Sequence, residues 1–188
     1  MKEILKDLGS HIRSLGFKGS GQNFRKLEED FVFVINIQGS SSGKDFYVNL
    51  GAQPTFIPTK CDRPLATLKE YQCVLRTRVG VRWEWSLDEQ ALDALKREIE
   101  LTQREFFVLA RTMRASIAQD SVDQLLDKFK MGNAALHLAR ATAALGHPDK
   151  AEALVERGLS TAGERAPGLI HDLQAVRKAF TSQPGAFP

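Results

Sequence analysis

Residues 31–53, FVFVINIQGSSSGKDFYVNLGAQ, are two alternating runs separated by a cluster of turn formers. Side chains alternate across a strand, so Phe31, Phe33, Ile35 and Ile37 share one side while Val32, Val34, Asn36 and Gln38 share the other. After GSSSGK the division repeats, with Phe46, Val48, Leu50 and Ala52 set against Tyr47, Asn49, Gly51 and Gln53. An antiparallel hairpin closed through Gly39 to Lys44 sets Asn36 opposite Tyr47 and Val34 opposite Asn49, leaving both polar sets on one face. The expected core is Phe31, Phe33, Ile35, Ile37, Phe46, Val48 and Leu50. At roughly 1.5–3 kcal/mol per fully buried large apolar side chain, this set is a main source of stability.

The flanking sequence supplies packing for that hairpin. Ile4, Leu5, Leu8, Ile12 and Leu15 recur at helical spacing and predict a helix from residue 3 to about 15, ended at Gly16. A short strand is expected near Asn23–Leu27, followed by an acidic turn at Glu28, Glu29 and Asp30. Residues 54–68 hold three prolines and no period, which marks a long connection. Tyr71 to Val81 alternates again, with Cys73, Leu75, Thr77, Val79 and Val81 on one side and Gln72, Val74, Arg76 and Arg78 on the other. Trp83 and Trp85 extend this fourth strand as same-side anchors. Ser86 and Glu89 read as a capping box. Leu92, Leu95, Ile99, Phe106, Leu109 and Met113 then form the stripe of a long helix, expected to lie with the first helix over the aromatic side of the sheet.

From Ser121 the sequence becomes alanine-rich, with helices expected over 121–130, 133–145, 148–162 and 168–181 and a frayed tail from Thr181. AALHLARATAALGHPDKAEALVERGLSTA resembles a single tetratricopeptide-type helical hairpin, too few for a peptide-binding array. The organisation expected is an α+β domain over residues 1–115, a four-stranded antiparallel sheet with two helices, and a helical extension over 116–188.

The blocks LGFKGSGQNFRK, VINIQGSSSGKDFYVNLG and CVLRTRVG with the following tryptophan pair resemble the bacterial domain-of-unknown-function family 4304 over about residues 3–113. That resemblance implies an α+β domain and carries no established activity. The helical segment lies outside it.

The chain is 43% hydrophobic and 26% charged, the balance of a soluble globular protein. The net charge of +3 is small for a nucleic-acid binder, and its excess lies before Ser86, with 13 basic against 9 acidic residues. No apolar run approaches the ~20 residues of a spanning helix, and the chain reads as cytoplasmic with no membrane contact. Cys61 and Cys73 lack zinc-ligand spacing, and His11, His137, His147 and His171 are not paired at ligand intervals, so no metal site is expected. GSSSGK lacks the spacing and the following helix of a phosphate-binding loop. No catalytic residue and no cofactor motif emerges, and the chain reads as a binding protein more readily than an enzyme.

The candidate site is the polar sheet face: Asn36, Gln38, Tyr47, Asn49, Gln53, Arg76 and Arg78. Carboxamides both donate and accept, and guanidiniums match a carboxylate or phosphate with paired hydrogen bonds. A face left to water would carry the same residue types. Three functions compete. The first is a non-enzymatic interaction module docking a protein partner on this face. The second is a small enzyme or binder of an anionic ligand, a nucleotide or other phosphate or carboxylate, in which Arg76 or Arg78 meets a carboxylate such as Glu84. The third, disfavoured, is single-stranded nucleic-acid binding through Arg76, Arg78, Tyr47 and the tryptophans.

Overall fold

The computed structural model describes residues 1–59, 64–163 and 166–182. The chain divides into two units, Met1–Arg111 and Thr112–Pro188.

The first unit is α+β. Helix α1 (Lys2–Ser14) precedes strands β1 (Lys18–Ser20), β2 (Asn23–Leu27), β3 (Phe31–Gly39), β4 (Asp45–Pro54) and β5 (Leu75–Glu84), and helix α2 (Glu89–Arg111) closes the unit. The sheet has five strands in sequence order, all antiparallel, rather than the expected four. The added strand is Lys18–Ser20, which pairs with Asn23–Arg25 and is too short and glycine-rich to carry an alternation signal.

The hairpin forms with its faces as expected and its register displaced by two residues. Asn36 lies opposite Asn49, Gln38 opposite Tyr47 and Val34 opposite Gly51. The loop keeps its length and slides one residue along the chain: the closing pair is Ser40 and Asp45 rather than Gly39 and Lys44, with Ser40 N–H donating to Asp45 C=O at 2.8 Å, and the chain turns at Gly43, whose φ of 71° suits glycine. A shift of two preserves the alternation, so all seven expected core residues are buried.

On that core face lie α1, through Ile4, Leu8 and Ile12, and α2, through Leu95, Ile99, Phe107 and Ala110. Phe107 meets Phe33 at 4.2 Å between ring centroids and Phe17 at 6.0 Å. The cap of α2 is Asp88, whose carboxylate accepts from Ala91 N–H at 2.8 Å, and not Ser86, whose hydroxyl donates to Glu84 instead. Aspartate caps as well as serine does, and here it stands nearer the first turn. At the far end, Arg111 grips Glu28 with two hydrogen bonds of 2.8 and 2.9 Å while its guanidinium covers the Phe33 ring at 4.9 Å.

The opposite face is where expectation and structure differ most. β5 begins at Leu75, not Tyr71, because residues 70–72 form a 3-10 turn. Cys73 therefore leaves the side of Leu75 and joins Leu65 and Leu68 in packing on Val32 and Val34. The connection between β4 and β5 is thus a roof over half of the second face. Cys61 lies outside the described residues, as does the tail beyond residue 182. Gly51 makes the roof possible: a Cβ there would stand 2.8 Å from Cys73 Sγ and 3.3 Å from Glu70 O.

The second unit is helical: α3 (Met113–Gln119), α4 (Val122–Lys128), α5 (Ala134–Ala144), α6 (Pro148–Thr161) and α7 (Pro167–Ser182). Helix α3 was not foreseen as a separate element. α4 opens on a capping box of Ser121 and Gln124. α5 and α6 pack together through a turn with Pro148 at the first helical position, and Gly158 of α6 admits Leu173 of α7. Lys150 donates to Ile117 O and Asp120 O, capping the end of α3. No described helix is long and apolar enough to cross a membrane.

Replacing Gly51 by alanine should cost about 1–3 kcal/mol, because the new methyl overpacks the roof, whereas Gly39→Ala, with nothing within 4 Å, should be near neutral. Urea midpoints of the two variants measure this, and equal midpoints would refute the tight roof. The Glu28 carboxyl is held below its usual range, first by the Arg111 hydrogen bond. Its contribution is therefore present above the unfolded carboxylate value and lost as pH falls through the folded one. The stability difference between wild type and Glu28→Gln should be small, largest at neutral pH, and vanish in acid.

Candidate functional site on the polar sheet face

Register arranges this face in rows across the strands. One row is Asn23, Asn36, Asn49 and Arg78 on β2 to β5; the next is Arg25, Val34, Gly51 and Arg76. All seven candidate residues belong to this face.

The second row is roofed, and an arginine fastens the roof from each flank. Arg25 donates to Leu68 O at 2.6 Å and to Thr67 O at 3.3 Å. Arg76 Nε donates at 2.6 Å to Glu70, whose side chain is only 5% exposed. Gln53 is fully buried and serves the same roof, donating to Pro54 O and Ile57 O while its carbonyl accepts from Val74 N–H at 3.2 Å. Burial, reinforced by the neighbouring Glu70 charge, pushes the Cys73 thiol up to about 12. A thiol so placed is protonated at neutral pH and inert as a nucleophile.

The first row stays open. Asn36 donates to Gln22 O and to Asn23 Oδ1, both at 3.1 Å. Asn49 is 3% exposed and acts as a bridge, donating to Gln38 Oε1 at 2.9 Å and accepting from Arg78 Nε at 3.0 Å. The Arg78 guanidinium lies 4.2 Å over the Tyr47 ring. A cation stacked on an aromatic face with its inner nitrogen bonded has lost most of its rotamer freedom before any ligand arrives. Arg78 itself is exposed, and among the described residues its terminal nitrogens make no hydrogen bond.

The sheet thus brings Asn36, Gln38, Tyr47, Asn49 and Arg78 into one open group and draws Gln53 and Arg76 into the roof. Arg76 meets Glu70 rather than Glu84, and Arg78 meets a carboxamide rather than a carboxylate. Asn23, Arg25 and Glu70 were not foreseen, and Gly51, which the alternation did place on this face, was not foreseen as the point where the roof comes down. Alternation within NFRKL could have placed Asn23 and Arg25 on this face; Glu70 sits in an aperiodic segment that offers no such signal.

Beside the hairpin loop, Ser42, Lys44, Asp45, Arg82, Glu84 and Trp85 line an open cleft of about 710 Å³. Its charges are mixed, Arg82 lying 3.7 Å from Asp45, and the loop amides of Gly43 and Lys44 are spent on Ser40 O and Ser42 Oγ. Trp85 stacks on Phe46 at 4.3 Å, and Trp83 donates to Val79 O, so both indoles are tied to the sheet. Among the described residues no group of three or more metal-capable side chains assembles.

The family model of a domain of unknown function, DUF4304, matches residues 8–108, from within α1 nearly to the end of α2. The chain belongs to that family, whose match covers the whole sheet, the second half of α1 and most of α2. No curated protein and no solved structure matches the chain.

Arg76→Ala strands the Glu70 carboxylate beneath the roof and should cost about 1–3 kcal/mol. Arg78→Ala frees only one carboxamide oxygen and should cost well under that. Urea unfolding of the two variants side by side gives the comparison, and equal losses would mean that Arg76 does not fasten the roof.

Proposed function

We propose that the sheet domain is a non-enzymatic protein-interaction module that receives a carboxylate of its partner on the open row of the polar face. The observation that carries this is Arg78, held from behind by Asn49 and from below by Tyr47 with its outer nitrogens unclaimed. A guanidinium fixed in this way presents two parallel N–H donors at little entropic cost, which suits a carboxylate gripped by both oxygens. Asn36 and Gln38 add neutral donors and acceptors around it. Acid–base or nucleophilic chemistry finds little support: the thiol of Cys73 on this side is buried and protonated, and the buried Glu70 carboxylate is committed to Arg76. The helical unit enters only as a packing unit, its α5–α6 pair read as tetratricopeptide-like.

Titrating the whole chain with blocked tetraglutamate, followed by NMR of the arginine Nε–H and side-chain amide signals, tests this. Tetraglutamate should shift Arg78, Asn49 and Gln38, weaken as salt rises, and have no effect on Arg78→Ala. Tetraglutamine should leave the same signals in place. Inorganic phosphate acting as strongly as tetraglutamate would transfer the site to small anions, and silence of Arg78 toward tetraglutamate would end the proposal.

A further inference from the structure

β5 is one of the two outer strands of the sheet, the other being the three-residue β1, and Arg78 lies near its middle. The direction of its free backbone groups follows from the ladder. Ser40 N–H bonds across to Asp45 O, while Ile37 N–H turns the other way, to Gln22 O at 2.9 Å. Alternation from that pair aims the backbone of Phe46, Val48, Leu50 and Ala52 at β5. Their partners Trp83, Val79, Thr77 and Leu75 point back toward β4. The N–H and C=O groups of Arg76 and Arg78 consequently point out of the sheet, and among the described residues neither backbone has a hydrogen-bond partner.

The usable edge is short. Between Val79 and Trp83 the strand bulges, three residues standing opposite Tyr47 alone, so only Leu75–Val79 is straight. Arg76 and Arg78 occupy alternate positions along it on one face of the sheet, Arg76 bonded through Nε to Glu70 yet half exposed. Thr77, between them, is half-buried on the side where α2 packs against the strand.

Resting on Arg78 as the carboxylate anchor, we infer that the partner docks by strand addition: an acidic extended segment pairs with Leu75–Val79, setting carboxylates at two alternate positions against Arg76 and Arg78. The residue between those acids falls beside Thr77, where a β-branched apolar side chain fits the pleat. A second copy of this chain is the wrong occupant. Antiparallel self-pairing centred on Thr77 sets Arg76 directly against Arg78 of the other copy, and like charges so placed repel.

The experiment uses the full chain and a blocked Thr-Glu-Val-Glu-Thr peptide at millimolar concentration, with amide hydrogen exchange read by NMR. The backbone amides of Arg76 and Arg78 should exchange more slowly by on the order of tenfold, while those of Thr77 and Val79, already in the ladder, should not change. The same peptide N-methylated at its valine and following glutamate keeps its charge but cannot pair, and should lose the protection. Shifts at the Arg78 side chain without protection of the two amides would overturn strand addition and leave the carboxylate site standing. Protection that survives N-methylation would also overturn it, and silence of side chain and amides alike would remove both.

Discussion

Pairing β3 with β4 produces a ribbon that is apolar on both flanks at one end, and the remaining architecture answers that condition. An antiparallel sheet ordinarily gives one face to water. Here Val32 and Val34 stand on the face opposite Phe31, Phe33 and Ile35, and all five are buried. Helices α1 and α2 seal the aromatic side. The valines need a second cover, and the β4–β5 connection supplies it by folding back over Gly51, the place where a missing side chain lets Cys73 and the Glu70 carbonyl approach the sheet.

A loop laid over a sheet brings polar backbone with it, and that backbone must find partners. Arg25 takes two roof carbonyls, Gln53 takes two more and returns an acceptor to Val74, and Arg76 neutralises Glu70. Polar residues that looked like a surface in the sequence are thus divided into those bonded to the roof and a remainder. What separates the groups is only distance along the strands: two residues beyond Arg76, Arg78 passes the edge of the roof and bonds Asn49 of the sheet instead of a roof residue.

The parts legible in the sequence were those with a period. Alternation placed Asn36, Gln38, Tyr47, Asn49, Arg76 and Arg78 on one face despite a register wrong by two, because any even displacement leaves every side chain on its own side. The closing pair of the loop was not legible, since it depends on where Gly43 turns. Nor was the roof: residues 54–68 have no period, and the placement of the connection follows from tertiary contacts at Gly51, Val34 and Arg25. Cys73 went astray for the same reason, its apparent alternation with Leu75 being broken by the 3-10 turn just before it.

The edge position of β5 makes Arg78 more than a leftover. Outer strands are hazards, and guanidiniums together with a bulge are common means of keeping them from pairing with arbitrary chains. Under the proposed strand addition the same features would discriminate among occupants: charge would reject a basic or self-complementary strand, the bulge at 80–82 would limit length, and the Asn49–Tyr47 clamp would set where a carboxylate stands. An edge defended only by loose charge would need neither a buried asparagine to orient one of its arginines nor an aromatic ring beneath it. Burying a carboxamide so that it bonds a neighbouring guanidinium commits that guanidinium to one direction, and defence alone gains nothing from direction.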